Sequence, residues 1–289
     1  MGQQSSHQHE HSSGQPRSLQ TPSSLRNIVY IMDLDPLPDE VLLLILSFVP
    51  AKDLVLHCRC VSHRWKYLID SPTIWRMKCE RMNSTDILRM ADMCHSIPWQ
   101  RLCIKEPFSR NLVCNPCGTE QLQHWTYNNE GDGWAVENND SEIEGAESQT
   151  CFVTSFHWCE KYQIIDLVKE GLWEHFLDVH QPAICISDWY TGLHDCGYMY
   201  FLRVQLLAVD QTAVIQEFTK RPDPVPNLHG VQYTQVYHEF HGYGPGVRYV
   251  KFLHKGKDLR FWKGWYGARI SNSSVLIKWK NMEPCIRKA

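Results

Sequence analysis

Nowhere in the 289 residues do about 18 apolar side chains run together, the length a bilayer-spanning helix requires, so no helical span is expected. Excess positive charge is missing too. The 29 Lys and Arg stand against 32 Asp and Glu, a formal net charge of -3, and such a chain has no field to hold a polyphosphate, which excludes nucleic acid as the expected partner. The opening stretch MGQQSSHQHEHSSGQPRS lacks the apolar segment of a secretory signal. The 12 cysteines are therefore expected as reduced thiols in the cytoplasm, most of them packed as small hydrophobes, not as a disulfide framework. Metal-ligand spacing stops at half a site: Cys114 and Cys117 in CNPC have no second pair, and Cys58, Cys60 and His124 are too scattered to complete a tetrahedron. No metal and no cofactor are expected. A phosphate-cradling glycine loop, a nucleophile motif and RING spacing are also absent. Asp188, Asp195 and Glu239 could supply the paired carboxylates of a glycosidase, but nothing accompanies them, and the chain reads as non-catalytic.

What is present is a globular composition, 43% hydrophobic and 21% charged, over a length that favours two domains. Residues 1–33 are the exception. They are rich in Ser, Gln and His, cannot repay the entropy of ordering, and read as a disordered tail in which His7, His9 and His11 are solvated. Met1-Gly2-Gln3-Gln4-Ser5-Ser6 fits the pattern for myristoylation at Gly2. One acyl chain without a second anchor gives only weak membrane association, peripheral at the endoplasmic reticulum or another membrane. The sequons at Asn83 and Asn272 are read as chance.

At Asp35-Pro36-Leu37-Pro38-Asp39-Glu40 the character changes. Prolines and then acids suit the first turn of a helix, and apolar residues recur from Val41 to Val49 until Pro50 ends the pattern. A second short helix is expected over Leu54 to Cys60. A third presents Val61, Trp65 and Leu68 on one face, and Pro72, Ile74 and Trp75 close the segment. So small a bundle, with more apolar positions than it can turn inward, is expected to bury surface against a partner.

Residues 37–75 resemble an F-box, through Leu37-Pro38, Glu40, Asp53-Leu54, Val61 with Arg64-Trp65, and Ile74-Trp75. Ser62-His63 stands where that family commonly has Cys-Arg, and Ile74 where it has Leu. The resemblance implies docking on the Skp-type adaptor of a cullin RING ubiquitin ligase. It places Leu37, Pro38, Ile45, Leu46, Phe48, Pro50, Leu54, Val61, Trp65, Leu68 and Trp75 in adaptor binding.

The expected organisation is an F-box domain over 34–80, a helical linker over 81–107, a β-sandwich over 108–280 and a tail over 281–289. The fold class is α+β: a three-helix F-box, then an antiparallel sandwich with one helix. Strand runs at Ala183 to Ile186 and Tyr200 to Leu207, with alternation at Val236-His238-Phe240, are separated by turn residues. Ile164, Leu167, Val168, Leu172 and Phe176 recur at helical spacing, and the acidic stretch Glu130 to Glu147 reads as a solvated loop.

Phe261-Trp262-Lys263-Gly264-Trp265-Tyr266-Gly267 crowds four rings, a cation and two glycines into seven residues. Alternation along a strand cannot send every ring into one core, so some must be exposed or gathered by a turn. An exposed ring beside a Lys donor suits a pyranose, which has one apolar face. Core aromatics are the ordinary alternative for Trp262, and a turn-capping carboxylate is the ordinary alternative for Asp195.

Residues 111–279 are similar to the F-box-associated (FBA) domain of the sugar-recognising F-box proteins. The likeness runs through Asn111-Leu112, Asn115-Pro116, Asp132-Gly133-Trp134, Cys151 to Phe156, Asp188-Trp189-Tyr190, Gly244 to Arg248 and Trp262 to Arg269. That resemblance implies a jelly-roll-like sandwich of about ten strands that binds the inner chitobiose of high-mannose glycans on misfolded N-glycosylated proteins. Its sugar contacts fall here on Phe156, Asp195, Phe261, Trp262 and Lys263, with Phe261 standing where sugar-binding members often carry Tyr. A receptor that reads a protein surface without glycan is the second reading.

Overall fold

The computed structural model describes residues 34, 36–81, 97–226 and 232–279, which divide into two units at Pro38 and Asp39. In the first, Leu37 N donates to Leu34 O at 3.2 Å in a turn. The second opens with helix α1, Asp39–Leu46, whose two acids occupy its positive end. Helix α2, Ala51–Leu56, a 3₁₀ turn at Cys58–Cys60, and α3, His63–Asp70, follow. Ser62 Oγ caps α3 by accepting from Trp65 N at 3.2 Å. Pro72-Thr73-Ile74-Trp75, expected to close the segment, instead opens a fourth helix, α4, Pro72–Arg81. Proline suits that first turn, where an N–H has no partner to lose. Buried Trp75 donates its indole N–H to Ile69 O at 2.7 Å. Lys78, lowered in pKa by burial, donates to Ser47 O and Val49 O, carbonyls left over where α1 has ended. The linker reading over 81–107 lies in part outside the described residues; helix α5, Trp99–Lys105, forms its end and packs on α4. Cys79 Sγ of α4 and Cys103 Sγ of α5 are 3.0 Å apart.

Among the described residues ten strands then form two five-stranded antiparallel sheets. They are β1 Thr126–Tyr127, β2 Trp134–Asn138, β3 Thr150–Thr154, β4 Cys159–Asp166, β5 Ala183–Thr191, β6 Tyr198–Leu207, β7 Val214–Lys220, β8 Thr234–Phe240, β9 Tyr249–Asp258 and β10 Arg269–Lys278. The orders are β1-β4-β9-β6-β7 and β2-β3-β10-β5-β8. Alternation decides the inner faces: Tyr198, Tyr200, Leu202, Val204 and Leu206 of β6 point inward, as do Ile184, Ile186 and Tyr190 of β5.

Two expectations fail on the sandwich. The helix read through Ile164, Leu167, Val168, Leu172 and Phe176 is strand β4 as far as Asp166, then turns, with only a short helix ending in a π-type turn at Phe176–His180. In β4 the inward residues include Lys161 and Gln163 while Ile164 faces out, so the apolar pattern has the wrong period for its strand. The acidic stretch contains β2, and Ile143 beyond it is buried. Pairing with β3 outweighs the local acidity, since Trp134 faces Thr154 and Val136 faces Phe152.

Lys161 is not alone in the core. Its Nζ lies 2.5 Å from His254 Nε2, 3.4 Å from the Trp125 ring centre and 3.7 Å from that of Phe152. His254 Nδ1 is 3.2 Å from Asp188 Oδ2, which also accepts from Tyr200 OH at 2.6 Å, while Ser273 Oγ donates to Asp188 Oδ1 at 2.7 Å. A bulge between Ser271 and Ser274 in β10 brings Ser273 inward to this carboxylate. Burial holds Lys161 well below the usual lysine range and raises Tyr200. It also lowers His254 to about 4, with help from the Lys161 charge.

All ten described cysteines are free, and seven are buried.

Candidate functional site

Four loops meet at one end of the sandwich, and the β9–β10 loop, 259–268, is their hub. Asp258, buried at the end of β9, accepts Arg260 N at 2.8 Å and Phe261 N at 2.6 Å on Oδ1, an Asx turn that starts the loop. Phe261 is thereby held at φ 57°, and its side chain is turned outward, 63% exposed. Trp262 is 50% exposed and meets Tyr266 edge-on at 5.9 Å. Half of its surface faces water, so it is not a packed core ring.

Backbone bonds tie this loop to its neighbours. Asp258 N donates to Ser155 O at 3.0 Å, joining the β3–β4 loop that carries Phe156. Leu259 N donates to Gly197 O at 2.9 Å, joining the β5–β6 loop that carries Asp195. Gly264 N donates to Asp132 Oδ2 at 2.8 Å, joining the β1–β2 loop. Two glycines make the approach feasible. Gly264 sits at φ 116°, and a Cβ on Gly267 would lie 2.3 Å from Thr154 Oγ1 and 2.8 Å from Asp258 N. Gly267→Ala is expected to cost about 1–3 kcal/mol, read as a lower Tm, because the backbone it meets cannot move aside. An unchanged Tm would mean that the loop is seated elsewhere.

Phe156 is half-buried, with its ring 5.0 Å from that of His157. Asp195, in the left-handed region at φ 60°, keeps an exposed carboxylate with one oxygen 2.9 Å from His194 Nδ1. Lys263 is exposed. Cations accompany two of the outward rings: Lys257 Nζ is 5.1 Å from the Phe261 ring centre, and Arg260 Cζ is 5.9 Å from that of Trp262. Rings with one face in water, a carboxylate and ammonium groups on a rigid rim can bind a ligand that has an apolar face and hydroxyl edges. Asp258, which starts the loop, escaped the sequence reading, and Asp132 entered it only within the Asp132-Gly133-Trp134 motif, without its role in holding Gly264. An Asp two and three residues before backbone donors was the one available signal for Asp258.

The adaptor residues divide. Leu46, Leu54, Leu68 and Trp75 are buried inside the helical segment, so their expected place on the adaptor surface is corrected: they build the core that supports it. Trp65 and Leu37 are half-buried, and Pro38 and Pro50 are exposed. Ile45, Phe48 and Val61 are exposed, Phe48 by 69%, and so are Leu44, Leu56 and Tyr67, which the resemblance did not name. Arg59 holds Asp70 bidentately at 2.7 and 3.0 Å, and Arg64 Nη2 reaches Asp39 Oδ1 at 2.6 Å, so ion pairs brace the helices. Gly2 lies outside the described residues.

The helical segment thus exposes an apolar face, and one end of the sandwich gathers exposed rings and charges. The F-box domain model matches residues 34–77 and the F-box associated region model matches residues 103–277. The chain is 44% identical over 258 residues to F-box only protein 27 of Mus musculus, an alignment spanning 86% of this chain and 92% of that one. It is 41% identical to F-box only protein 17 of Homo sapiens (85% and 92% covered), and 41% identical to F-box only protein 2 of Bos taurus (85% and 84% covered). This chain belongs to the F-box only proteins that carry an F-box-associated region. It is accordingly a substrate receptor of a Skp–cullin–F-box ubiquitin ligase. Among the described residues no helix is long and apolar enough to cross a membrane.

Proposed function

We propose that the sandwich recognises N-linked high-mannose glycoproteins through the inner chitobiose and presents them for ubiquitination and degradation, as in the clearance of misfolded or damaged-organelle glycoproteins. The observation that carries this reading is Trp262, half-exposed on a loop whose backbone is pinned to three others. Trp262 stacks on an N-acetylglucosamine face and Phe156 shields the N-acetyl methyl. Asp195 accepts from sugar hydroxyls, and Lys263 donates. Phe261 adds apolar surface but, as Phe, no hydroxyl. The chain acts in the cytoplasm, with weak peripheral attachment to membranes if Gly2 is myristoylated. Pull-down with the full chain from cell lysate, with and without prior deglycosylation, tests the reading. Adaptor and cullin should be captured in both, and clients only before deglycosylation. Clients retained after the sugar is removed would establish the protein-surface reading instead.

A further inference from the structure

The outer face of the first sheet carries a groove of about 500 Å³ beside the four-loop end, lined by Trp158, Phe201, Arg203, Arg221 and the Glu160 and Lys255 pair, among others. We propose that this groove is a second saccharide subsite, taking the sugar residues that follow the chitobiose; the inference rests on the glycan reading above.

Register builds its floor. Glu160 of β4 stands opposite Lys255 of β9, and Lys255 opposite Phe201 of β6, so acid, base and ring lie in one row across three strands. Phe201 and Arg203 are outward residues of β6, alternating with buried Tyr200, Leu202 and Val204. Asn128 fixes the near wall, its Nδ2 donating to Trp158 O at 3.3 Å and its Oδ1 accepting Glu160 N at 2.7 Å. The size falls within the ~300–1,000 Å³ of small-ligand sites.

The charge pattern selects the ligand class. Lys255 pairs with Glu160, Arg203 Nε is 3.8 Å from Glu217, and the two further charged lining residues, Glu130 and Arg221, are of opposite sign, so the groove carries no excess charge to favour an ionic ligand. A hydroxyl both donates and accepts, and adjacent fixed N–H donors and carboxylate acceptors suit it. Trp158 and Phe201 supply the ring faces that pyranose C–H groups need. Continuity supplies the occupant. Lys257, two residues beyond Lys255 on β9, places its Nζ 5.3 Å from the Trp158 ring centre and 5.1 Å from that of Phe261. One ammonium thus spans the step from the candidate chitobiose rim to the groove wall, along which a longer glycan continues.

The full chain and its Phe201→Ala and Arg221→Ala variants should be titrated with chitobiose, with a high-mannose glycan of the same reducing end, and with an unfolded non-glycosylated polypeptide. The wild type should bind the longer glycan about tenfold more tightly than chitobiose. Both variants should lose that gain, remain folded by circular dichroism, and keep chitobiose affinity. Equal affinities in the wild type, or a gain that survives both variants, overturns the groove and leaves the proposed function standing. Wild type that binds chitobiose not at all overturns both. Polypeptide binding that disappears in the variants assigns the groove to client chain and overturns the saccharide assignment.

Discussion

Trp262→Ala weakens chitobiose binding by about 30-fold or more, the loss of about 2 kcal/mol typical of an aromatic anchor at the centre of a contact. The ring is half in water, so its removal opens no cavity and the Tm should hold within a degree or two. The loop survives because Asp258, Ser155 O, Gly197 O and Asp132 hold its backbone and none of these bonds uses the indole. Isothermal titration of the full chain, wild type and variant, with a chitobiose-containing glycan checks the result. Unchanged affinity with an intact fold would remove Trp262 from the site while leaving the receptor assignment untouched.

Asp188→Ala should cost about 3–5 kcal/mol, much of the ~5–15 kcal/mol by which a domain is stable, because it strands a buried network. Tyr200, Ser273 and His254 all reach this carboxylate, and it is the acid that offsets Lys161 through the intervening imidazole. No water is at hand for the orphaned groups, since these side chains are fully or almost fully buried. Asp188→Asn, which keeps the volume and one acceptor, should lose less. Urea unfolding ranks the three proteins, and an alanine variant as stable as wild type would mean that the network contributes nothing.

The same network makes the fold acid-sensitive. His254 titrates at about 4 in the folded chain, against about 6.5 when unfolded, so the unfolded state binds the proton first. Its contribution, about 3 kcal/mol, is complete above the unfolded value and is lost as pH falls through the folded one. Lys161, also lowered by burial, acts in the same direction. Unfolding midpoints at pH 7 and pH 5 should therefore differ by about 2 kcal/mol in stability. Equal midpoints would refute a neutral buried imidazole.

Much of the organisation could be read from local chemistry. Acids and prolines before an apolar run announce α1, and period-two runs announce β5, β6 and β8, because those strands send hydrophobic residues into the core. Strand β4 shows where such reading stops. Its inward positions hold Lys161 and Gln163 and its outward ones Tyr162 and Ile164, an inversion that becomes stable only once His254, Asp188 and Trp125 surround the ammonium. The adaptor residues divide for a similar reason. An apolar position in a small bundle can face the core or the partner, and the helical packing turned Leu54 and Trp75 inward while leaving Phe48 and Val61 outside.

By itself the sequence determined the two-part plan, the family motifs and the need to expose some of the rings between Phe261 and Tyr266, since each depends on neighbours within a few residues. Tertiary structure alone decided how loop-to-loop backbone bonds hold Phe156, Asp195 and Trp262 at one end of the sandwich, a grouping the resemblance implied but no local pattern showed, and that Trp158 and Phe201 open a groove beside it. Those placements rest on antiparallel register and on loop-to-loop backbone bonds between residues far apart in the chain, and no local period encodes such pairings.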